Sequence, residues 1–285
     1  MNHTYQTAIN ALPGGAVIAE CGPMRLVIFA AVGKVAQREM AAKAAEASFK
    51  YLEQIAFLRR RLSRRFDRIP EDLEDSLGLQ MVQNVLTVGD EDLTPMAAVA
   101  GTIADAVADY LFDRGMTKVV VDNGGDVAVR LRKGASVKVG IRAEIGKQDI
   151  SNVIALDSRL ASWGVTTSGL GGRSLTRGVA SAATVIARSA SLADAAATAI
   201  ANASFVEDAH VIQRLAEEID PETDVVGLPV TVEVGPLSEE TKAKALSQAM
   251  GRARQLIEKN VILGVYVAVQ GKVAMTEFFK DCLVE

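Results

Sequence analysis

Residues 123–126 combine an amide, two glycines and a carboxylate in one short segment. Asn123, Gly124, Gly125 and Asp126 follow an apolar run that ends at Val121. Asn and Gly readily adopt the positive φ angles that tight hairpin turns need. Two adjacent glycines also leave the backbone open to close approach by a bulky group. The sequence therefore predicts a buried strand, a tight turn and a second strand, and the turn serves either a plain hairpin or a ligand contact.

Two oxygen-bearing side chains stand four residues apart further along the chain. Asp194 and Thr198 lie on one face of a predicted helix that starts near Ser191, because residues four apart in a helix are neighbours. A carboxylate and a hydroxyl are hard oxygen ligands, which suits Mg²⁺ with phosphate or water oxygens in the remaining positions. Two other interpretations stay open: Asp194 caps its own helix, or Thr198 bonds the carbonyl one turn earlier.

The elements that must position these residues are strands and helices in mixed order. Strands are predicted within 15–33, on both sides of the glycine turn, near 137–141, at 153–156, 182–187 and 228–234, and in a closing hairpin of 261–269 and 272–276. Helices are predicted at 37–65, 95–114, from 191 onward, at 209–219 and at 238–259, and 166–174 reads as a loop. Helices segregated between hairpins favour an α+β fold with mixed or antiparallel sheets over a doubly wound sheet.

The helix that begins at Pro95 carries clear end signals and a surface of small side chains. Thr94 suits the cap, Pro95 suits the first helical position, and Gly115 suits the residue past the end. Between them, small residues recur on one surface: Ala97, Ala98, Ala100, Gly101, Ala104 and Ala108. Such a surface permits either close packing on a neighbouring element or close approach of a ligand.

Length, net charge and cysteine count argue against several classes of protein. The chain has 285 residues and a formal net charge of −4, which suits one domain of two intimate lobes and gives no general reason to expect nucleic-acid binding. Cys21 and Cys282 suggest neither a disulfide framework nor a thiolate metal site. No apolar run is long enough to span a membrane and no export signal is visible, so we expect a cytoplasmic protein.

An arginine-rich segment follows at 59–65 and has two interpretations. It is either a patch for phosphate or nucleic acid or a solvated helix end, where cations interact favourably with the helix dipole. Acidic residues at 71–75 and 90–92 lie near enough in sequence to offset it. We favour the solvated helix end, with one arginine free to contact a ligand phosphate.

Three blocks in this order resemble the ApbE-type family of FAD:protein FMN transferases. They are the small-residue helix start at 95–101, the turn at 123–126, and Thr167-Ser168-Gly169 followed by Ala193-Asp194-Ala195 with Thr198. The resemblance implies an α+β fold of two lobes around a central cleft, in which FAD or FMN binds with Mg²⁺. It also implies, as site residues, Asp194 and Thr198 for the metal, Asn123, Gly124, Gly125 and Asp126 for the nucleotide, and Thr167, Ser168 and Gly169 for the flavin. A metal-binding carbonyl is expected near Ala98 or Ala100.

The chain also departs from that family in the segment before the metal helix. The transferases carry a His-x-x-Asp-Pro-x-Thr-Gly signature there, and residues 173–178 contain neither histidine nor aspartate. Leu170 stands where an acid is expected, and His3 and His210 lie outside every matched block. The chain is therefore similar to a divergent, largely uncharacterised ApbE-like branch.

Two functions follow from this resemblance. One is binding of a small-molecule flavin nucleotide or related diphosphate with a divalent metal, with Arg173 or Arg177 as phosphate contacts. The other is a non-catalytic accessory protein, in sulfur assimilation or homocysteine formation, a process with which the branch is associated. Both leave open whether any catalysis survives and whether the chain forms a homo-oligomer, and neither involves nucleic acid or a membrane.

Overall fold

A computed structural model describes residues 5–145, 147 and 149–284 of the chain. The helices in this part are α1 Arg38–Leu62, α2 Ser76–Val88, α3 Val99–Phe112, α4 Ala190–Ala203, α5 Ala216–Ile219, α6 Glu239–Glu258 and α7 Glu277–Asp281, with 3₁₀ turns at Pro13–Gly15 and Pro95–Ala98. The strands are β1 Thr7–Ala11, β2 Val17–Cys21, β3 Met24–Val32, β4 Val35–Ala36, β5 Lys118–Asn123, β6 Val127–Leu131, β7 Ser136–Ile141, β8 Asn152–Asp157, β9 Ser162–Ser168, β10 Ala182–Ala187, β11 Val211–Leu215, β12 Pro229–Val234, β13 Gly264–Val269, β14 Lys272–Met275 and β15 Leu283–Val284.

A ten-stranded antiparallel sheet forms the centre of the molecule. Its order is β1-β2-β3-β5-β6-β9-β10-β13-β14, with β4 paired to β3. A three-stranded sheet of order β15-β8-β7 and the hairpin β11-β12 stand apart from it. This is the α+β architecture with antiparallel sheets that the sequence predicts.

The large sheet is covered on both faces, which explains its long apolar runs. One face carries a core shared with helices α1, α2, α3, α4 and α6. The other face carries a second core shared with the three-stranded sheet and α7. Neighbouring strand residues alternate between the two cores, so Val185 packs in the first while Ile186 packs in the second. The alternation follows from the two-residue period of a strand.

The glycine hairpin forms between β5 and β6 as predicted, with one difference in its turn. Gly124 and Gly125 have φ of +70° and +111°, whereas Asn123 stays in the strand. The positive φ angles therefore come from the glycines alone. Asn123 is left with strand geometry and a side chain that points away from the turn's own backbone, to the carbonyl of Ala100.

Two predicted elements are wrong. The predicted helix at 209–219 is strand over Val211–Leu215, which pairs antiparallel with Pro229–Val234, and only Ala216–Ile219 is helical. Its partner strand lies too far along the chain for a local pattern to reveal, and the β-branched start favours a strand. The predicted loop at 166–174 is strand over its first three residues, which pair with β10.

Helix ends follow the expected chemistry elsewhere. Thr94 caps the 3₁₀ turn that precedes α3, with Pro95 at its first position. Asp75 accepts the N–H of Gly78 at 2.8 Å at the start of α2, a helix that we did not predict. Among the described residues, no helix combines the length and the apolar character needed to cross a bilayer.

Candidate functional site

Helices α3 and α4 meet at their first turns, and each receives a carboxylate from the other. Asp194 on α4 accepts the N–H of Gly101 at 2.9 Å, and Asp105 on α3 accepts the N–H of Ser191 at 2.8 Å. These bonds satisfy backbone donors that a helix start leaves free, and the helix dipole favours the negative charges. A Cβ on Gly101 would lie 2.3 Å from the carbonyl oxygen of Ala190. Glycine therefore permits this close approach.

The residue that caps α4 is Ser189, whose hydroxyl accepts the N–H of Leu192 at 3.3 Å. The interpretation of Asp194 as the cap of its own helix is therefore wrong. The helix starts earlier than the sequence pattern suggests, and the carboxylate turns towards α3 instead. Thr198 follows one turn later and lines the same cavity as Asp194.

The glycine turn is tied to the start of α3 by Asn123. Its amide nitrogen donates to the carbonyl of Ala100 at 3.1 Å, and Asp122 accepts the N–H of Gly125 at 2.7 Å. The amide oxygen of Asn123 is buried and has no hydrogen-bond partner within the described residues. An unpaired buried oxygen of this kind requires an explanation, such as an ion or ligand that binds it.

Arg173 supports the other side of the turn. Its guanidinium donates to the carbonyl of Pro23 and, at 3.3 Å, to the carbonyl of Asn123. A Cβ on Gly124 would lie 2.3 Å from this guanidinium. Gly124 is thus needed both for its positive φ and for the position of Arg173.

The third predicted block lies where β9 leaves the sheet. The Thr167 hydroxyl shares a hydrogen bond with the Thr184 hydroxyl at 2.9 Å, and Ser168 is buried. Gly169 has φ of +144°, and a Cβ there would lie 2.7 Å from the carbonyl oxygen of Ala180. The strand end is therefore held close against the chain that leads into β10.

These elements surround one cavity of about 460 Å³. All but one of the predicted site residues line it: Asn123, Gly124, Asp126, Thr167, Ser168, Gly169, Asp194 and Thr198. Gly125 is the exception. The glycine turn and the Asp194–Thr198 pair therefore face the same space, although 70 residues of chain separate them.

Two carboxyls in the cavity wall, Asp126 and Asp194, are close enough to influence one another. Burial raises the pKa of Asp194 to about 7, while N–H bonds from Gly101 and Ala100 oppose the rise. Burial also raises the pKa of Asp126 well above its ordinary value, the charge of Asp194 raises it further, and Arg173 opposes both effects. Ionising both carboxyls in this site therefore costs free energy, and a bound cation would lower that cost.

The cavity wall also contains two charged pairs; Arg177 and an arginine of 59–65 were expected as phosphate contacts, but their acidic partners were not predicted. Arg59 near the end of α1 donates to the Glu222 carboxylate at 2.9 Å and to its carbonyl at 3.0 Å. Arg177 pairs with Asp92. These four residues all line the cavity. The partners in each pair lie 163 and 85 positions apart, so no local pattern indicates them.

Comparison with known proteins places the chain among relatives of one family. A family model described as AbpE bacteria matches residues 9–275. A UPF0280 protein of Methanopyrus kandleri is 41% identical over 140 residues, which are 48% of this chain and 55% of that protein. A UPF0280 protein of Methanocaldococcus jannaschii is 33% identical over 174 residues, which are 57% of this chain and 66% of that protein. The chain thus matches about half to two thirds of the length of these curated relatives.

Among solved structures, the ApbE protein from Thermotoga maritima aligns with 99% of this chain and 100% of its own, with a TM-score of 0.51 and 14% identity. Identity at this level shows a shared fold and nothing finer. The family model covers residues 9–275, nearly the whole chain. The protein therefore belongs to the AbpE bacteria family, a divergent branch of the ApbE-like proteins.

Proposed function

We propose that this protein binds a flavin nucleotide, FAD or FMN, or a related diphosphate, together with a divalent cation such as Mg²⁺. The strongest support is the single cavity that contains both the Asn123–Gly124 turn and the Asp194–Thr198 pair. Its volume of about 460 Å³ lies within the range of small-molecule and cofactor sites.

The oxygen atoms near Asp194 form a donor set that fits Mg²⁺. Asp194 and Asp126 offer carboxylates, Thr198 offers a hydroxyl, and Asn123 offers an unpaired amide oxygen. In the described part of the chain, no group of three or more His, Cys, Asp or Glu could hold a metal ion. Mg²⁺ does not need such a cage, since proteins commonly hold it with one or two carboxylates plus substrate phosphates and water. A cation there would neutralise a diphosphate and polarise its phosphoryl oxygens.

The rest of the cavity suits the ring system of a nucleotide. Its wall includes apolar side chains from several elements: Leu52, Met96, Ile103, Ile145, Val225 and Leu228. Pockets for flat organic ligands are mostly apolar, with a few polar groups that fix orientation. A wall that combines polar and charged groups with apolar side chains suits a ligand with a charged diphosphate and an aromatic ring.

The proposal covers binding and does not extend to transfer of FMN. Transfer requires positioned acid and base groups, and the segment 173–178 has neither a histidine nor an acid. Arg173 in that segment supports the glycine turn instead. The same observation favours a second candidate, a non-catalytic accessory protein in sulfur assimilation or homocysteine formation.

Calorimetry with FAD, FMN and ADP, each with and without Mg²⁺, tests the proposal. We expect binding that strengthens when Mg²⁺ is added. Asp194→Asn keeps an oxygen for the Gly101 N–H and removes the charge, so Mg²⁺ should no longer strengthen binding to this variant. If none of the three nucleotides binds the wild-type protein in the presence of Mg²⁺, the proposal is wrong.

Mass spectrometry tests whether any FMN transfer survives. The protein is incubated with FAD, Mg²⁺ and a threonine-containing acceptor protein. The mass of the acceptor is then measured to detect an FMN adduct. Nucleotide binding without an adduct would fit a binding protein that has lost transfer. A clear adduct would eliminate the accessory role and show that residues other than the family signature support the reaction.

A further inference from the structure

Arg177 occupies a position between two cavities. A second cavity of about 220 Å³ lies beside the larger one of about 460 Å³. Asp92, Arg177 and Asn202 belong to the walls of both. The Arg177–Asp92 ion pair therefore stands at the boundary, with open space on two sides in which a side chain can change its rotamer.

The backbone of Arg177 is fixed by three hydrogen bonds. Its N–H donates to the side-chain oxygen of Asn202 at 2.9 Å. Its carbonyl accepts from the side-chain nitrogen of Gln213 at 2.8 Å and from the Thr231 hydroxyl at 3.0 Å. Any movement at this position therefore belongs to the side chain.

An arginine side chain carries five N–H donors, and the guanidinium of Arg177 uses few of them in hydrogen bonds. It forms an ion pair with the carboxylate of Asp92, and its Nε is buried without a hydrogen-bond partner among the described residues. Arg173, by contrast, donates to two backbone carbonyls. Arg59 holds both the carboxylate and the carbonyl of Glu222. Of the three arginines in the cavity wall, Arg177 is the one with a buried donor to offer.

We propose that Arg177 is the residue that recognises the anionic group of the ligand. In the ligand-free protein its guanidinium forms an ion pair with Asp92, and a phosphate of the ligand displaces that carboxylate. This inference rests on the proposed function and names one of its contacts. The planar fork of arginine matches phosphate in two parallel hydrogen bonds, and a phosphate can also reach the unpaired Nε. Asp92 is 38% exposed and Arg177 is 29% exposed, so their pair is weak enough to exchange.

The experiment measures binding of inorganic pyrophosphate and of ADP, each with Mg²⁺, by calorimetry. Arg177→Gln should weaken both about ten- to a hundredfold, the usual value of a hydrogen bond to a charged group. Asp92→Asn should strengthen both about two- to fivefold, because it removes an internal competitor of the strength of a partly exposed ion pair. In the Arg177→Gln background, Asp92→Asn should change nothing. Arg177→Lys should restore part of the affinity.

A matched pair elsewhere supplies the control. Arg61 pairs with Asp72 outside the cavity, so Arg61→Gln and Asp72→Asn should leave both affinities unchanged. If Asp92→Asn weakens binding or leaves it unchanged while the wild-type protein binds, Asp92 is not a competitor and this inference is wrong, whereas the proposed function stands. The Asp92 variant keeps Arg177, so this test does not depend on how well Arg177→Gln folds. If the wild-type protein binds neither probe, this inference is wrong, and calorimetry with FAD and FMN decides the proposed function separately.

Discussion

At the scale of single residues, Asp194 combines two effects that oppose each other. Its carboxylate accepts the N–H of Gly101 at the start of α3, a contact that favours the charged form. Its burial, with a smaller contribution from the charge of Asp105, favours the neutral form more strongly and raises the pKa to about 7. The residue therefore changes charge near neutral pH, and a divalent cation would compete with protons for it.

We predict that this charge change alters the stability of the ligand-free protein between about pH 4 and about pH 7. The pKa of Asp194 is raised in the folded state, so its stabilising contribution is complete below the unfolded pKa and is lost as the pH rises through about 7. Asp194→Asn is neutral throughout. In urea unfolding, the variant should gain stability relative to the wild type as the pH rises across this window.

Mg²⁺ should reverse part of that difference at the alkaline end, because the cation binds the ionised carboxylate. At the acid end Mg²⁺ should have little effect on either protein. A stability difference between the two proteins that stays constant with pH would show that folding leaves the pKa of Asp194 unchanged. A difference that moves in the wild type's favour as the pH rises would contradict the raised pKa itself.

At the scale of elements, the contact between α3 and α4 determines where the site residues lie. Gly101 lets the start of α3 come against the carbonyl of Ala190, and Gly164 on β9 does the same for the carbonyl of Ser189, which a Cβ would meet at 2.1 Å. Of the small residues that the sequence shows before Gly101, Ala98 is buried in the core, whereas Ala97 and Ala100 line the cavity. The cavity lies beside that packed contact and depends on its geometry.

We predict that Gly101→Ala destabilises the protein by about 1 to 3 kcal/mol, the usual cost of overpacking a dense interior. The new Cβ would meet backbone atoms rather than a flexible side chain, so the helices must separate. Gly251→Ala in α6 is the matched control, because a Cβ there meets nothing within 4 Å. The control should gain about 0.5 to 1 kcal/mol, since alanine costs less entropy in a helix. Urea midpoints measure both, and equal effects would show that α3 and α4 are not in tight contact.

The same elements show how far sequence reasoning reaches. The hairpin at 123–126 and the capped start at Thr94 were predictable, because glycine, proline and capping residues act on their own neighbours. The helix predicted at 209–219 was wrong, because β11 depends on a partner strand elsewhere. The interhelical partner of Asp194 was likewise out of reach, since Gly101 lies 93 positions away. Chemistry that depends on long-range pairs requires coordinates.

At the scale of the whole molecule, the cavity draws its walls from most of the chain. Residues from Pro23 to Val230 contribute, through α1, the start of α3, the glycine turn, the end of β9, α4 and the segment before β12. The ordered motifs in the sequence predict that the middle blocks face each other. The arginine run of α1 was open as a phosphate contact and Arg59 does line the cavity, but its partner Glu222 and the rest of 220–230 carry no sequence motif. A ligand that touches all these segments should stabilise the fold as one unit.

We therefore predict a single thermal transition that moves upward when Mg²⁺ and a nucleotide are both present. At free ligand about one hundred times the Kd, binding contributes about 2.7 kcal/mol, which corresponds to a rise of about 4 to 5 °C in Tm for a chain of this size. Calorimetric scans of the wild type and of Asp194→Asn provide the measurement. The variant should show the smaller rise, because it lacks a charged metal ligand. Two separate transitions, of which only one responds to ligand, would show that the segments around the cavity unfold independently.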